Sequence, residues 1–172
     1  MFKKIQKIKQ KGFTLVEVLF ALLVLTVGIT SVLFIMVRNI KNSIEAKDQI
    51  IAAELMQEGI ELVRNLSDNL DSRIVTGASY TDTDYRVDTV ANTINFTNMD
   101  TNRQLFTDSQ GVYSHTATGT ATKFTRSIDV ADDAGSGQRT ITSTVSWNGL
   151  DTIPTPCNIA THCASADSVI SY

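Results

Sequence analysis

From Phe13 to Val37 the chain is apolar apart from small and hydroxyl residues and carries a single ionisable side chain, Glu17; five lysines (Lys3, Lys4, Lys7, Lys9, Lys11) precede it. Few environments satisfy such a stretch. At roughly 1.5 Å per residue, about 25 residues form a helix of nearly 40 Å, which crosses a hydrocarbon core of about 30 Å with some tilt. The lysines are expected to hold the N-terminal flank in the cytoplasm and to place the rest of the chain outside. Glu17 does not suit a simple anchor. A carboxylate in a lipid-embedded helix costs on the order of 2.5 kcal/mol or more, so it is a functional-site candidate in need of a partner. Cleavage after Gly12 would create one, because the new α-amino group on Phe13 stands four residues, about one helical turn, from Glu17. In an assembly, Glu17 of one copy would pair with the amine of a neighbour and give greasy helices a register mark.

The run Lys11-Gly12-Phe13-Thr14-Leu15-Val16-Glu17-Val18-Leu19 resembles the class III signal of type IV pilins and of the pseudopilins of type II secretion and competence systems. In that family a prepilin peptidase cuts after the glycine on the cytoplasmic side and methylates the new N-terminal residue. The resemblance implies cleavage between Gly12 and Phe13, methylation of Phe13 and an assembly role for Glu17. It also implies as partners the peptidase/methyltransferase, an assembly platform and other pilin subunits. A secretory signal peptide would instead be cut after the apolar run at small residues, and Met36-Val37-Arg38-Asn39-Ile40-Lys41 offers no such site. An uncleaved signal anchor fits the hydropathy equally but leaves Glu17 without a partner.

Charge divides the chain. The leader through Gly12 holds five Lys and no acid, so of 15 Lys+Arg and 18 Asp+Glu overall the remainder keeps 10 and 18, or −8 against a total of −3. An acidic exterior argues against general electrostatic binding of nucleic acid, and DNA or a surface ligand stays unassigned.

Apolar residues continue at Ile40, Ile44, Ile51, Leu55, Leu62 and Leu66, and no proline interrupts residues 13 to 66. This spacing predicts one continuous helix of roughly 80 Å, lipid-facing first and amphipathic second, ending near Ser67-Asp68-Asn69. The stripe is expected to pack on a sheet. Gly28, followed by Ile29, Thr30 and Ser31, is the weak spot of the apolar part, where either melting on assembly would centre or small residues would let neighbouring helices pack closely. Many major pilins have a proline in this region; here none precedes Pro154.

From residue 70 the composition turns to Thr, Ser, Asp, Asn and Gly. Residues 70 to 84 read as a loop, followed by strands over Tyr85–Val90, Thr93–Thr97, Gln104–Phe106, Val112–His115, Lys123–Val130 and Gln138–Trp147. In the last two, larger side chains alternate at Phe124, Arg126, Ile128, Val130 and at Ile141, Ser143, Val145, Trp147, and Ala131 to Gly137 reads as the turn of an antiparallel hairpin. The stretch from Thr144 to Gly149 resembles the final strand of many minor pilin-like proteins. The expected class is α+β. The expected divisions are a basic leader (1–12), a transmembrane assembly helix (13–37), its amphipathic continuation (38–69) and an exported antiparallel β domain with a C-terminal cysteine loop (70–172).

Cys157 and Cys163 leave three readings open. A disulfide would close a ring of about seven residues, contributing roughly 2 kcal/mol, and would resemble the C-terminal loop of many pilins, though shorter. A metal site of Cys157, His162 and Cys163 lacks an evident fourth ligand. Free thiols are the third. Asp129, Asp132 and Asp133 match no EF-hand spacing, and His115 has no nucleophile tied to it. With no phosphate loop, dinucleotide fingerprint or zinc-hydrolase helix, neither an enzyme nor a cofactor is expected. The expected function is a prepilin subunit of a type IV pilus or related filament, a minor pilin in preference to a major one, inserted first in the inner or cytoplasmic membrane. The alternatives are a pseudopilin of a secretion or competence machine and, from another class, a signal-anchored adhesin that never polymerises.

Overall fold

The computed structural model describes residues 12–68, 85–90, 93–98, 103–133 and 137–171. The leader up to Lys11, the expected loop at 70–84 and residues 134–136 of the expected hairpin turn lie outside them. Among the described residues the elements are one long helix, α1 (Leu15–Asp68), and seven strands. These are β1 (Tyr85–Val90), β2 (Thr93–Asn98), β3 (Gln104–Thr107), β4 (Tyr113–Ser114), β5 (Thr120–Asp133), β6 (Gln138–Ser146) and β7 (Cys163–Ser171), with one 3-10 turn at Ile159–Thr161. The class is α+β, as the sequence implies. Contacts gather the chain into two compact units, Met1–Ala46 and Lys47–Tyr172.

In the first unit, α1 is long and apolar enough to cross a membrane, and none of that apolar window is buried. Phe13, Phe20 and Phe34 are each at least two-thirds exposed. The hydroxyls within this stretch are satisfied by the helix itself. Thr26 Oγ1 donates to the Leu23 carbonyl (2.9 Å), Thr30 Oγ1 to Thr26 and Val27 (2.9 and 3.0 Å), and Ser31 Oγ to Val27 (2.8 Å). A hydroxyl bonded to its own backbone is cheap to place in lipid. The helix is continuous through Gly28–Ser31.

In the second unit, α1 lies on an antiparallel sheet. β5 is its spine: one edge pairs with β6, from Thr125↔Ser146 to Asp133↔Gln138. The other edge is shared, β3 pairing near the start of β5 and β1 meeting it at Tyr85↔Ile128. A 14-residue strand is long enough to hold two shorter partners end to end. Alternation sends Phe124, Arg126, Ile128 and Val130 with Ile141, Ser143 and Val145 toward the helix. Two apolar clusters result: Ala52, Leu55 and Met56 with Leu105, Phe124, Val145 and Trp147, and Ile60, Val63 and Leu66 with Ile128, Val130, Ile141 and Ile170.

The structure departs from the sequence reading in three places. First, the buried helix face is Asp48, Ala52, Leu55, Met56, Gly59, Ile60, Val63 and Leu66. Of the expected stripe, Leu55 and Leu66 are buried, Ile51 and Leu62 are half-buried flanks, and Ile40 and Ile44 are exposed. Bulky residues define the stripe in the sequence, whereas closest approach is made by small ones. A Cβ on Gly59 would stand 2.8 Å from Ser143 Oγ and 3.0 Å from Ile128 Cδ1. Second, the expected final strand is not the last: β7 follows and pairs with β6 from Gln138↔Ser171 to Ser146↔Cys163. Its sequence, CASADSVIS, has small Ala164 and Ala166 where a strand signal needs bulk, because these residues pack beneath the helix. Third, β5 extends beyond Lys123–Val130 at both ends and takes Ala131–Asp133 from the expected turn. The expected Val112–His115 strand shrinks to Tyr113–Ser114, while β6 stops at Ser146 and β3 reaches Thr107.

Candidate assembly and processing site

Gly12, Phe13 and Thr14 precede the first helical residue, so the bond between Gly12 and Phe13 lies in non-helical chain. Thr14 sets that boundary. Its carbonyl accepts from the N–H of Glu17 (3.0 Å) and of Val18 (3.2 Å), and its Oγ1 also accepts from the Glu17 N–H at 3.3 Å. Thr14 is therefore the N-cap and Glu17 the N3 residue of a Thr-x-x-Glu pattern, with a carboxylate in the first turn where the helix dipole favours negative charge. Leu15 as first helical residue leaves the Gly12–Phe13 bond outside the hydrogen-bonded spiral. Phe13 and Glu17 border a shallow groove of about 480 Å³, completed by Val18, Ala21, Leu22 and Leu25. Both side chains are exposed. A Cβ placed on Gly12 would meet nothing within 4 Å, so no described residue crowds that position.

Thr14 is the residue that a reading centred on Gly12, Phe13 and Glu17 passes over. The signal is present: a threonine three residues before a glutamate, directly ahead of an apolar run. Thr14→Val is expected to cost about 1 kcal/mol of stability at the helix start. Faster amide hydrogen exchange at Glu17 and Val18, with Leu33 and Phe34 unchanged, is the outcome to look for.

Cys157 and Cys163 form a disulfide, with Cα atoms 5.0 Å apart. The enclosed segment is organised by its own polar groups. Asn158 Oδ1 accepts from the Thr161 N–H (3.1 Å), Thr161 Oγ1 accepts from the Asn158 N–H (3.0 Å), and Thr161 Oγ1 donates to the Pro156 carbonyl (2.9 Å). His162 closes the turn in the left-handed region at φ 56°, and its carbonyl accepts from Trp147 N–H and Ser146 Oγ. Sulfurs joined to one another present no thiolate to a metal, and among the described residues no three His, Cys, Asp or Glu side chains converge. Replacing both cysteines by serine is expected to lower stability by about 2 kcal/mol, the cost of freeing a ring of this size in the unfolded chain. A thermal unfolding midpoint several degrees lower in the full chain checks it.

His115 lies just past β4, buried, with Nε2 3.2 Å from the Arg126 carbonyl, a contact that requires the proton on Nε2. Asp129 is half-buried on β5; the side chains of Asp132 and Asp133 lie outside the described residues. Among the described residues, ionic contacts tie α1 to the sheet. Buried Asp48 pairs with Lys123, and Arg126, with no exposed surface, meets Glu58 Oε2 at 3.4 Å and the Leu55 carbonyl at 3.3 Å. Helical spacing alone does not reveal that cations of the sheet stand opposite Asp48 and Glu58.

Residues 7–33 match the family model described as the prokaryotic N-terminal methylation motif, a span that includes Gly12, Phe13, Thr14 and Glu17. No curated protein and no solved structure matches the chain.

Proposed function

We propose, from the premise that this chain is a type IV pilin/pseudopilin-like prepilin bearing the N-terminal methylation motif, that it is a minor pilin cleaved after Gly12 and methylated on Phe13. Proteins of this family are structural and not enzymes. The motif implies processing by a prepilin peptidase and assembly with pilins, and the apolar helix is consistent with membrane anchoring before that assembly. In this reading the lysine-rich leader faces the cytoplasm and the sheet-bearing unit lies outside. Extraction into the filament buries the helices from Phe13 onward against one another, and Glu17 pairs with the methylated amine of a neighbour.

The observation that carries the proposal is the arrangement at the start of α1. A non-helical Gly12-Phe13 step, a capped helix start at Thr14, a carboxylate one turn in and an unburied apolar surface meet in one place. A helix that exposes its whole apolar circumference is incomplete until lipid or other helices cover it. The preference for a minor subunit rests on the helix having no proline. Mass-spectrometric quantification in sheared filaments and in membranes tests the assignment. Peptides of the sheet-bearing unit at low abundance in the sheared fraction are expected. Confinement to membranes, beside a secretin or DNA-uptake components, would replace the minor pilin by a pseudopilin.

A further inference from the structure

Beyond the apolar run, the charged side chains of α1 are sorted by sign. Residues 38–47 carry Arg38, Lys41 and Lys47 against Glu45, and residues 54–68 carry Glu54, Glu58, Glu61 and Asp68 against Arg64. Glu58 meets buried Arg126, and Glu61 pairs with Arg64. Arg38, Lys41 and Glu54 are exposed and make no ion pair with any described residue. Arg38 and Lys41, three residues apart, share one side of the helix. Glu54 and Glu61, two turns apart, share the side left open while Ala52, Leu55, Met56 and Gly59 are buried. The Glu61–Arg64 pair is itself exposed, and such a pair holds weakly and can exchange partners.

The apolar part of the same helix decides how two copies would meet. Its surface is unburied, and copies anchored by it in one membrane stand parallel. Packed in register, parallel copies would set Arg38 and Lys41 against their own counterparts, and Glu54 and Glu61 against theirs. Like charges would then repel at both places. A shift along the axis by the separation of Lys41 from Glu54 or Glu61, about 20 to 30 Å, turns both repulsions into attractions. Charge complementarity of this kind fixes register and suppresses wrong alignments. The shift is several times the distance of about 6 Å that separates Phe13 from Glu17 along the helix, so the two contacts are made with different neighbours. The cationic and acidic stretches are different surfaces, so the contact is heterologous and can be repeated from copy to copy.

We propose that Arg38 and Lys41 dock on the Glu54 and Glu61 side of α1 in a second copy of this chain, parallel to the first and shifted along the helix axis. The inference rests on the reading that the chain assembles through α1, and not on the choice of a minor subunit.

The test is cross-linking of the full chain in its native membranes with a water-soluble carbodiimide, which joins an amine to a carboxylate without a spacer. Mass spectrometry of the peptides reads the links. On one helix Lys41 is about 20 Å from Glu54 and about 30 Å from Glu61, beyond the reach of the two side chains, so either link arises only between copies. The ion pair of Lys123 with Asp48 serves as the control that the reagent has acted. A link from Lys41 to Glu54 or Glu61 is expected, with a yield that falls about threefold or more from low to high salt as exposed charges are screened. Arg38→Glu leaves the reacting groups in place and is expected to lower the yield about three- to fivefold. The contact is overturned if the control link forms without either Lys41 link, or if the Lys41 links are indifferent to both salt and Arg38→Glu. Absence of the links in a chain that begins at Phe13 and is recovered from sheared filaments would overturn this contact alone. Salt-sensitive links in a chain that still begins at Met1 would support the contact and overturn the processing.

Discussion

Replacing Glu17 by valine is expected to leave the protein in the membrane and to lower its recovery in sheared filaments by about 100-fold or more. The cost arises in the assembled state. There the amine on Phe13 would be withdrawn from water among apolar helices, and removing the one partner of a buried ion pair costs about 3–5 kcal/mol. The competing explanation, that the variant merely weakens its own helix, is too small. A carboxylate in the first turn contributes about 0.3–1 kcal/mol, and the Thr14 cap remains in place. Glu17→Asp keeps the charge on a shorter arm and is expected to recover part of the loss. Quantification of the same peptides in membrane and sheared fractions reads all three proteins. Wild-type recovery of the valine variant would mean that the carboxylate has no partner in the assembly.

A second large effect is expected at Gly59. Alanine there gains about 1 kcal/mol of helix propensity, but its Cβ meets Ser143 Oγ at 2.8 Å and Ile128 Cδ1 at 3.0 Å. Overpacking typically costs 1–3 kcal/mol, so Gly59→Ala is expected to destabilise by about 1 kcal/mol. Gly59→Val adds two further methyls against the same neighbours and is expected to cost about 3 kcal/mol or more, separating α1 from the sheet between its two apolar clusters. Combining Gly59→Ala with Ser143→Ala removes the nearer clash and should return the stability of the single variant toward wild type. Thermal unfolding of the full chain, followed by the near-UV signal of Trp147, measures the series. An unchanged midpoint for Gly59→Val would contradict the seating of the helix on β5 and β6.

These two residues mark what could and could not be read from the sequence. Glu17 is conspicuous because it is the one ionisable side chain in an apolar run, and the motif around it is ordered and local. The continuous helix and the β5–β6 pair were legible for a similar reason, since their signals repeat along the chain with period 3.6 or 2. Gly59 carries no such signal. Its meaning comes from Ser143 and Ile128, which are brought close only by the fold. β7 was hidden by the same close approach, because Ala164 and Ala166 are small where the helix leaves little room. Asp48 completes the pattern: it looks like a solvated charge in sequence and is buried against Lys123 of the sheet. At the start of α1, the capping role of Thr14 was legible from its spacing to Glu17, but it is overshadowed by the proposed cleavage and assembly positions on either side.

The measurement closest to the central claim is the intact mass and N-terminal sequence of the protein taken from native membranes and from sheared filaments. The account predicts a chain that begins at Phe13, carries one methyl group on its α-amine and is present in the sheared fraction. A chain that still begins at Met1, in cells whose prepilin peptidase is active, would contradict it and leave a signal-anchored protein whose Glu17 has no assembly role.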